Sequence, residues 1–470
     1  MYTLHAGSAI GNNRFETIAK SFLQQRGLPF ADVLSGQTIQ HVFEEHDALF
    51  AQDRIFSTQV VLWAYLAQSL RDGKGAACAA AVADVATYLQ QTGGQTPSGD
   101  TGDYCRARAK LALPALRCLA SQTASEMEQQ ALRPWLWHDL HGKLVDGFEF
   151  TMADTPSNQE AFPQIKSQKP GVGLPIARAC GVLSLATAAI HALAIGPHEG
   201  KGTGETALLR EIEDCLLPGD VAVFDRYFAS YWTLASLSRR GVAVCTRLHQ
   251  RRSADFQQGQ RLGEQDYLTT WKRPARPEWM SPEQYEQVPA TLTVRAVQFQ
   301  TAVPGQTTEI FTVITTLTDP VAYPRQDIMA LYGYRWNVEL DIRSIKQTLG
   351  LDHIRCMSPD MVQRDMWVKL LAYNLIRKVI ATAAAVHGKQ PRQLGFTLAC
   401  QTILSSWMLI ATGRCSDERA LWHSVLKRLA TNIVADRPGR MEPRVLKRRR
   451  HRYRLMTRPR RQLREELRMA

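Results

Sequence analysis

Between Tyr332 and Lys346 the chain reads YGYRWNVELDIRSIK. Tyr332, Arg335, Glu339 and Lys346 follow one another at steps of three, four and seven residues. At about 100° per residue, those steps predict one helix about 21 Å long with all four side chains on one face. A carboxylate flanked by two cations and a phenol suits chemistry at phosphorus, because acids hold divalent cations and bases grip phosphate oxygens. Trp336, Leu340 and Ile342 supply apolar positions, Pro324 lies upstream, and Gly350 after Leu349 reads as a C-terminal stop. A solvated amphipathic helix shows mixed charge too, so periodicity alone leaves both readings open.

Two acidic residues upstream favour the chemical reading. Asp225 follows VAVF (221–224), a short apolar run expected of a strand buried on both faces, and precedes Arg226-Tyr227-Phe228. The carboxyl end of such a strand is where open α/β sheets bind ligands, although turn and N-cap aspartates are common there. Asp146 stands inside LVDGFEF, mid-strand, where aspartate is disfavoured and a strand that accepts one has a use for it. Its rival, Asp154 in ADTPSN, reads better as a turn closing that strand. With Glu339 these residues make three candidate carboxylates for two Mg²⁺ or Mn²⁺ ions, the set that two-metal phosphoryl transfer requires. Arg335 and Lys346 would grip phosphates beside the scissile bond. Tyr332 would bond a phosphate or stack on a displaced base. Arg226 would do similar work, or form an ion pair within the protein.

The elements that position these residues follow from patterning. Apolar spacing predicts helices over Phe15–Arg26, Gly36–Phe50, Thr58–Arg71 and Ala76–Leu89, a linker over 92–103, and one helix from about Tyr104 to Ala120. Strands are expected over about 144–152, Ile176–Thr187 and Ala189–Gly196. A helix over Leu208–Leu217, the strand 221–224, a helix near 230–240 and a strand over Val242–Leu248 come next. Three neighbouring strands followed by alternating helix and strand is the order of a ribonuclease H-like α/β core. Residues 249–320, with Pro274 and Pro277 and strand-like runs at Thr291–Phe299 and Glu309–Leu317, read as a β-rich insertion. Ser358-Pro359 starts a helix running to about Val386. The domains are therefore 1–120, a helical DNA-binding region; 121–248, the first part of the core; 249–320, the insertion; 321–386, the second part; and 387–470, a helical C-terminal region with a basic tail.

The blocks LVDG, DTPSNQEAFP, FDRYF and WNVELDIRSIKQTLGLD, in that order, resemble those of the bacterial insertion-sequence DDE transposases with a Tyr-Arg-Glu-Lys signature (insertion sequence family four). Phe148 departs from that pattern, which usually has Ser or Thr after the first Asp-Gly. The resemblance implies Asp146, Asp225 and Glu339 as catalytic metal ligands and Tyr332, Arg335 and Lys346 as DNA contacts. It further implies cut-and-paste cleavage at terminal inverted repeats, through a hairpin or not, strand transfer into target DNA, and a homodimer in a synaptic complex. Trp271 or Trp279 in the insertion would be the aromatic stacking on an extruded base. An inactive DNA-binding regulator and a structure-selective nuclease on the same core are the alternatives.

Composition fits a nucleic-acid partner. The net charge of the 470-residue chain is +13, and residues 437–470 carry 14 Lys and Arg against three Glu, a net of +11. The block KRRRHRYR (447–454) attracts polyanions without reading sequence. Nine cysteines without a CxxC pair point to reduced thiols and no structural zinc. No leader and no uniformly apolar span are apparent, so a soluble, cytoplasmic, nucleoid-associated bacterial protein is expected. GPHEGKGTGET (196–206) looks like a phosphate-binding loop but fails in spacing, and Gly202 replaces its Ser or Thr. His141, His191 and His353 lack ligand spacing and read as structural.

Overall fold

The computed structural model describes residue 34 and residues 36–469, apart from 52–53, 72, 74, 93–95, 250–251, 253–258, 302–308, 413–416 and 435–454. The helix expected over Phe15–Arg26 and the KRRRHRYR block lie outside the described residues.

Among the described residues five helices come first: α1 (Gly36–Glu45), α2 (Thr58–Ser69), α3 (Cys78–Thr92), α4 (Gly102–Ala109) and α5 (Leu113–Gln129). The near-continuous apolar sequence of α2 is buried all round from Val61 to Ser69. Where one helix was expected over 104–120 there are two. Pro114 cannot donate to the carbonyl four residues back, so the chain bends after Ala109 and α5 restarts with proline in its first turn.

The sheet begins with β1 (His141–Met152), then α6 (Pro156–Ala161), β2 (Ile176–Ser184) and β3 (Ile190–Pro197). β1, β2 and β3 pair antiparallel. Next come α7 (Glu205–Ile212), β4 (Asp220–Phe224), α8 (Tyr231–Arg239) and β5 (Ala243–Arg247). β4 lies parallel to β1 and β5 parallel to β4, giving the order β3-β2-β1-β4-β5. β6 (Gln260–Gly263), β7 (Asp266–Lys272), α9 (Pro282–Gln287), β8 (Thr291–Thr301) and β9 (Glu309–Thr315) complete this half. β9 bonds antiparallel to β5, from Cys245↔Thr315 to Arg247↔Val313. The region expected as an insertion therefore prolongs the same sheet. After it stand α10 (Arg325–Gly333), α11 (Trp336–Thr348), β10 (His353–Ile354), α12 (Pro359–Val386), α13 (Phe396–Thr412), α14 (Glu418–Thr431) and α15 (Arg460–Met469).

Helices cover both sheet faces. On one, Leu144 and Phe148 of β1 meet Val338, Ile342 and Ile345 of α11 and the apolar length of α12. On the other, Val145 joins Leu208 and Leu209 of α7 and Leu234 and Leu237 of α8. The Ser358 hydroxyl accepts the Met361 N–H to start α12, as the Ser-Pro signal predicts. Buried Asn374 ties α12 to both neighbours, accepting from Ile190 N at 2.9 Å and donating to the Ala120 and Ile190 carbonyls at 2.9 Å.

One buried ion cluster anchors α11. Asp341, 3% exposed, accepts from Arg377 of α12 at 3.1 Å and from Arg392 at 2.8 Å. Arg392 also donates to the Ser184 carbonyl at 2.6 Å and to that of Leu185. Removing the shared carboxylate leaves two desolvated cations unbalanced. Asp341→Asn is therefore expected to lower unfolding stability by about 3 kcal/mol in urea titration. A loss below about 0.5 kcal/mol would mean that the cluster does not hold the helix.

Candidate active site

β1 is longer than its partners on one edge. β4 pairs with it from His141 to Val145, and β10 only at Thr151 and Met152. Residues 146–150 have no strand on that edge among the described residues, which leaves a notch. The last rung is Val145↔Phe224. The next residues, Asp146 and Asp225, therefore emerge side by side from adjacent strands, which run about 4.8 Å apart. The Asp146 carboxylate accepts the Gly147 N–H at 2.8 Å. Asp225 caps the short turn Arg226–Phe228 by accepting the Tyr227 N–H at 2.8 Å. The Thr246 hydroxyl fixes the Asp225 carbonyl at 2.8 Å.

The third carboxylate comes from α11, and here the expected single helix is corrected. α10 ends at Gly333 and α11 begins at Trp336. Between them the amides of Arg335, Asn337 and Val338 bond only three residues back, at 3.0, 2.9 and 3.1 Å. α10 lies over β4, β5 and β9, whereas α11 crosses β1. One straight helix cannot follow both parts of a twisted sheet, and glycine at 333 eases the break. Tyr332 thus belongs to α10, while Arg335 stands at the start of α11.

The arginine still reaches its neighbour one turn on. Its Nη2 lies 3.0 Å from Glu339 Oε1, and its Nη1 lies 3.8 Å from Asp146 Oδ2. One guanidinium thereby draws two of the three carboxylates together. Burial pushes the Asp146 carboxyl up to about 6; the Gly147 amide and Arg335 oppose the rise, and Asp225 and Glu205 add to it. Tyr332 is half-buried against Phe311 of β9, ring centroids 5.9 Å apart. Its phenol is pushed up by burial, with Arg335 and Arg247 opposing and Asp225 adding. Lys346 donates to the Glu149 carbonyl at 2.9 Å, inside the notch. Arg226 is exposed and has no ion pair among the described residues. Among those residues, no three His, Cys, Asp or Glu side chains stand close enough as they are to hold an ion.

Neighbouring residues sort themselves plainly. The two tryptophans named from the sequence differ: Trp271 is half-buried under the Arg252 guanidinium at 4.4 Å, whereas Trp279 is 47% exposed with Arg210 over it at 4.0 Å. Trp279 and Tyr227 line one cleft of about 840 Å³. Asp154 accepts from the Gln159 amide at 2.9 Å in the turn after β1. His141 and His191 bond Glu128 at 2.8 and 3.3 Å, and His353 lies 2.9 Å from the Thr151 hydroxyl. Glu205, next to last in the rejected phosphate-loop sequence, rests against Gly147, where a Cβ would meet its carboxyl group at 2.3 Å.

The raised pKa of Asp146 has a sign that can be tested on metal-free protein. Because the folded state favours the protonated acid, its contribution is intact below about pH 4 and is lost as pH rises through about 6. Asp146→Asn escapes that loss. Its urea stability relative to the native chain is expected to rise between pH 4 and 7 and to level off near roughly 3 kcal/mol. A difference that stays flat with pH would mean that Asp146 is not desolvated.

A family model described as the transposase DDE domain matches residues 137–375, a span that contains all three carboxylates. The transposase InsG for insertion sequence element IS4 of Escherichia coli (strain K12) is 26% identical over 311 residues, 65% of this chain and 67% of that protein. A cryo-EM structure of a piggyBac transposase synaptic complex with hairpin DNA covers 92% of this chain and 88% of its own, at 8% identity and a TM-score of 0.41. The mixed α/β core and a family match across half of the chain lead to one conclusion: the protein belongs to the DDE transposases, of the insertion sequence IS4 kind.

Proposed function

We propose that Asp146, Asp225 and Glu339 form the DNA-cutting centre of this transposase on a ribonuclease H-like core. The observation that carries the reading is the strand register, which brings Asp146 beside Asp225, together with the Arg335 guanidinium shared by Asp146 and Glu339. The donor set fits hard divalent cations: the groups are carboxylate oxygens, and their mutual repulsion and burial leave Asp146 in need of positive charge. Two bound Mg²⁺ or Mn²⁺ ions would activate the attacking oxygen and stabilise the leaving one.

The protein's own groups then do the positioning. Arg335 holds Glu339 and Asp146 in the metal-free chain and is free to turn to a phosphate once cations neutralise those acids. Lys346, at the notch, offers a point charge to the strand next to the scissile bond, and exposed Arg226 does so beside Asp225. Tyr332 lies in the field of Asp225 and Arg335, with its hydroxyl available to a phosphate. Trp279, exposed on its cleft, is better placed than Trp271 to stack on a displaced base. Water attacks the transposon end, and the freed 3′-hydroxyl attacks the opposite strand as a hairpin or joins target DNA. Each step is an in-line displacement that the same three acids can serve. A dimer pairs two ends and two centres. The helices before β1 and the residues after α12 contact DNA on either side of the core.

Purified protein with Mg²⁺ is expected to nick a duplex carrying its cognate ends and to join it to a target plasmid. Cutting without joined products would assign a nuclease. Glu339→Gln should lower cutting by about a thousandfold or more while end binding stays within about threefold. Lost binding by a folded variant would make Glu339 structural. Deleting residues 441–470 should flatten the dependence of log K on log salt by several units, since each lost phosphate contact removes about 0.9. An unaltered slope would mean that the tail contacts something other than DNA.

A further inference from the structure

The N-terminal helices meet the core around a cavity of about 570 Å³ that the three-acid centre does not use. Arg71, just after α2, and Arg108 of α4 line it from one side. Arg355, just after β10, and Lys369 of α12 line it from the other. Two of these cations are already balanced: Arg71 pairs with Asp84 at 2.7 Å and Lys369 with Asp365 at 2.9 Å. Arg108 and Arg355 have no carboxylate partner among the described residues. Arg355 is exposed, and its Nη1 donates to the Gly73 carbonyl at 3.3 Å. Arg108 is half-buried, with its guanidinium over the Tyr65 ring at 4.7 Å. Its Nη1 lies 3.4 Å from Gln68 Oε1, an oxygen to which the Tyr104 hydroxyl already donates at 2.7 Å. Its Nε is buried and has no hydrogen-bond partner among the described residues. Burial pushes the Tyr65 and Tyr104 phenols well up and the Cys356 thiol up to about 12, so these neighbours carry no charge to balance it. Asp365, also on the wall, is taken up by Lys369 and by the Tyr65 hydroxyl at 2.8 Å. A partly desolvated guanidinium with a donor to spare calls for an anion, and its planar fork suits phosphate.

The cavity also begins where α11 ends. Gln347, in its wall, follows Glu339 by eight residues, about 12 Å along the helix axis. At 3.4 Å per nucleotide, that is roughly three to four steps along one DNA strand. Resting on the DNA-cutting reading above, we propose that this cavity seats one backbone phosphate of the bound duplex, gripped by Arg108 and Arg355. The contact joins the N-terminal helices and the core on a single group of the DNA. Phosphate contacts fix register without reading bases, so this one sets which bond lies over the three acids.

The test is metal-free binding of the full-length protein to a cognate-end duplex, read by fluorescence anisotropy across a salt series. A set of duplexes carries a single neutral methylphosphonate at each position within about six nucleotides of the cut. For the native chain, one such position is expected to weaken binding about tenfold. Arg355→Gln and Arg108→Gln should each weaken binding to the natural duplex about fivefold or more and lower the salt slope by about 0.9. In both variants that same methylphosphonate should cost little further, because its partner has already gone. Arg355 is exposed, so its variant keeps the native melting temperature and decides the case even if Arg108→Gln does not fold. Arg133→Gln, beyond the opposite end of β1, should bind within about twofold of native. A native slope and a native methylphosphonate profile in Arg355→Gln overturn the inference; with cutting still lost in Glu339→Gln, the three-acid centre is spared. An equal loss in Arg133→Gln would mean diffuse charge and overturn it too. If inorganic phosphate raises the melting temperature of the native chain but not of Arg355→Gln, while both bind DNA alike, the cavity takes a free anion and the DNA assignment fails. No binding of the native chain to any duplex overturns the DNA-cutting reading itself.

Discussion

Two arginines converge on the buried carboxylate of Asp341, and the position of Glu339 depends on that contact. The two acids lie two residues apart on α11, about 200° around the helix, so fixing one face aims the other. Arg377 comes from α12, and Arg392 reaches back to the end of β2. The cluster therefore ties the helix bearing the third acid to the sheet bearing the first two. Such an assembly of buried charge is costly to desolvate, and its value lies in geometry more than in stability. In the proposed centre three groups from distant parts of the chain must converge, and α11 buries three apolar side chains, Val338, Ile342 and Ile345, beside Asp341.

The notch in β1 is the complementary feature. A strand paired on both edges along its whole length would bury its middle and exclude an aspartate there. Because β4 stops at Phe224 and β10 resumes only at His353, the middle of β1 opens to solvent along one edge. Lys346 partly repairs the missing ladder by donating to the Glu149 carbonyl. Asp146, Gly147 and Glu149 all lie in this gap. The same absence of pairing admits a carboxylate on the strand, a glycine without a side chain and a lysine across the top.

The elements that built this site were legible where local rules decide them. The run VAVF, the Ser-Pro start of α12, Gly350 after Leu349 and the mid-strand Asp146 each follow from one or two residues whose chemistry permits few alternatives. The break at Tyr334–Arg335 was not legible, because it arises from the twist of a sheet that the helix must follow. Pro114 splits a helix by a rule visible in the sequence, and there the apolar spacing misled. The pairing of β9 with β5 could not be read at all, since strand patterns say which face is buried and not which edge is joined. Glu205 illustrates the same limit: its neighbour in space, Gly147, lies 58 residues away in sequence.

The arrangement also fixes when the centre can come into being. A chain emerging from the ribosome presents Asp146 and Asp225 with nine strands of sheet before Glu339 exists. Even then α11 lacks both of its arginine anchors until residues 377 and 392 have been added. Fragments from interrupted synthesis thus hold a pair of aspartates without a fixed third acid. On the proposed chemistry, the capacity to break DNA is among the last properties the growing polypeptide acquires.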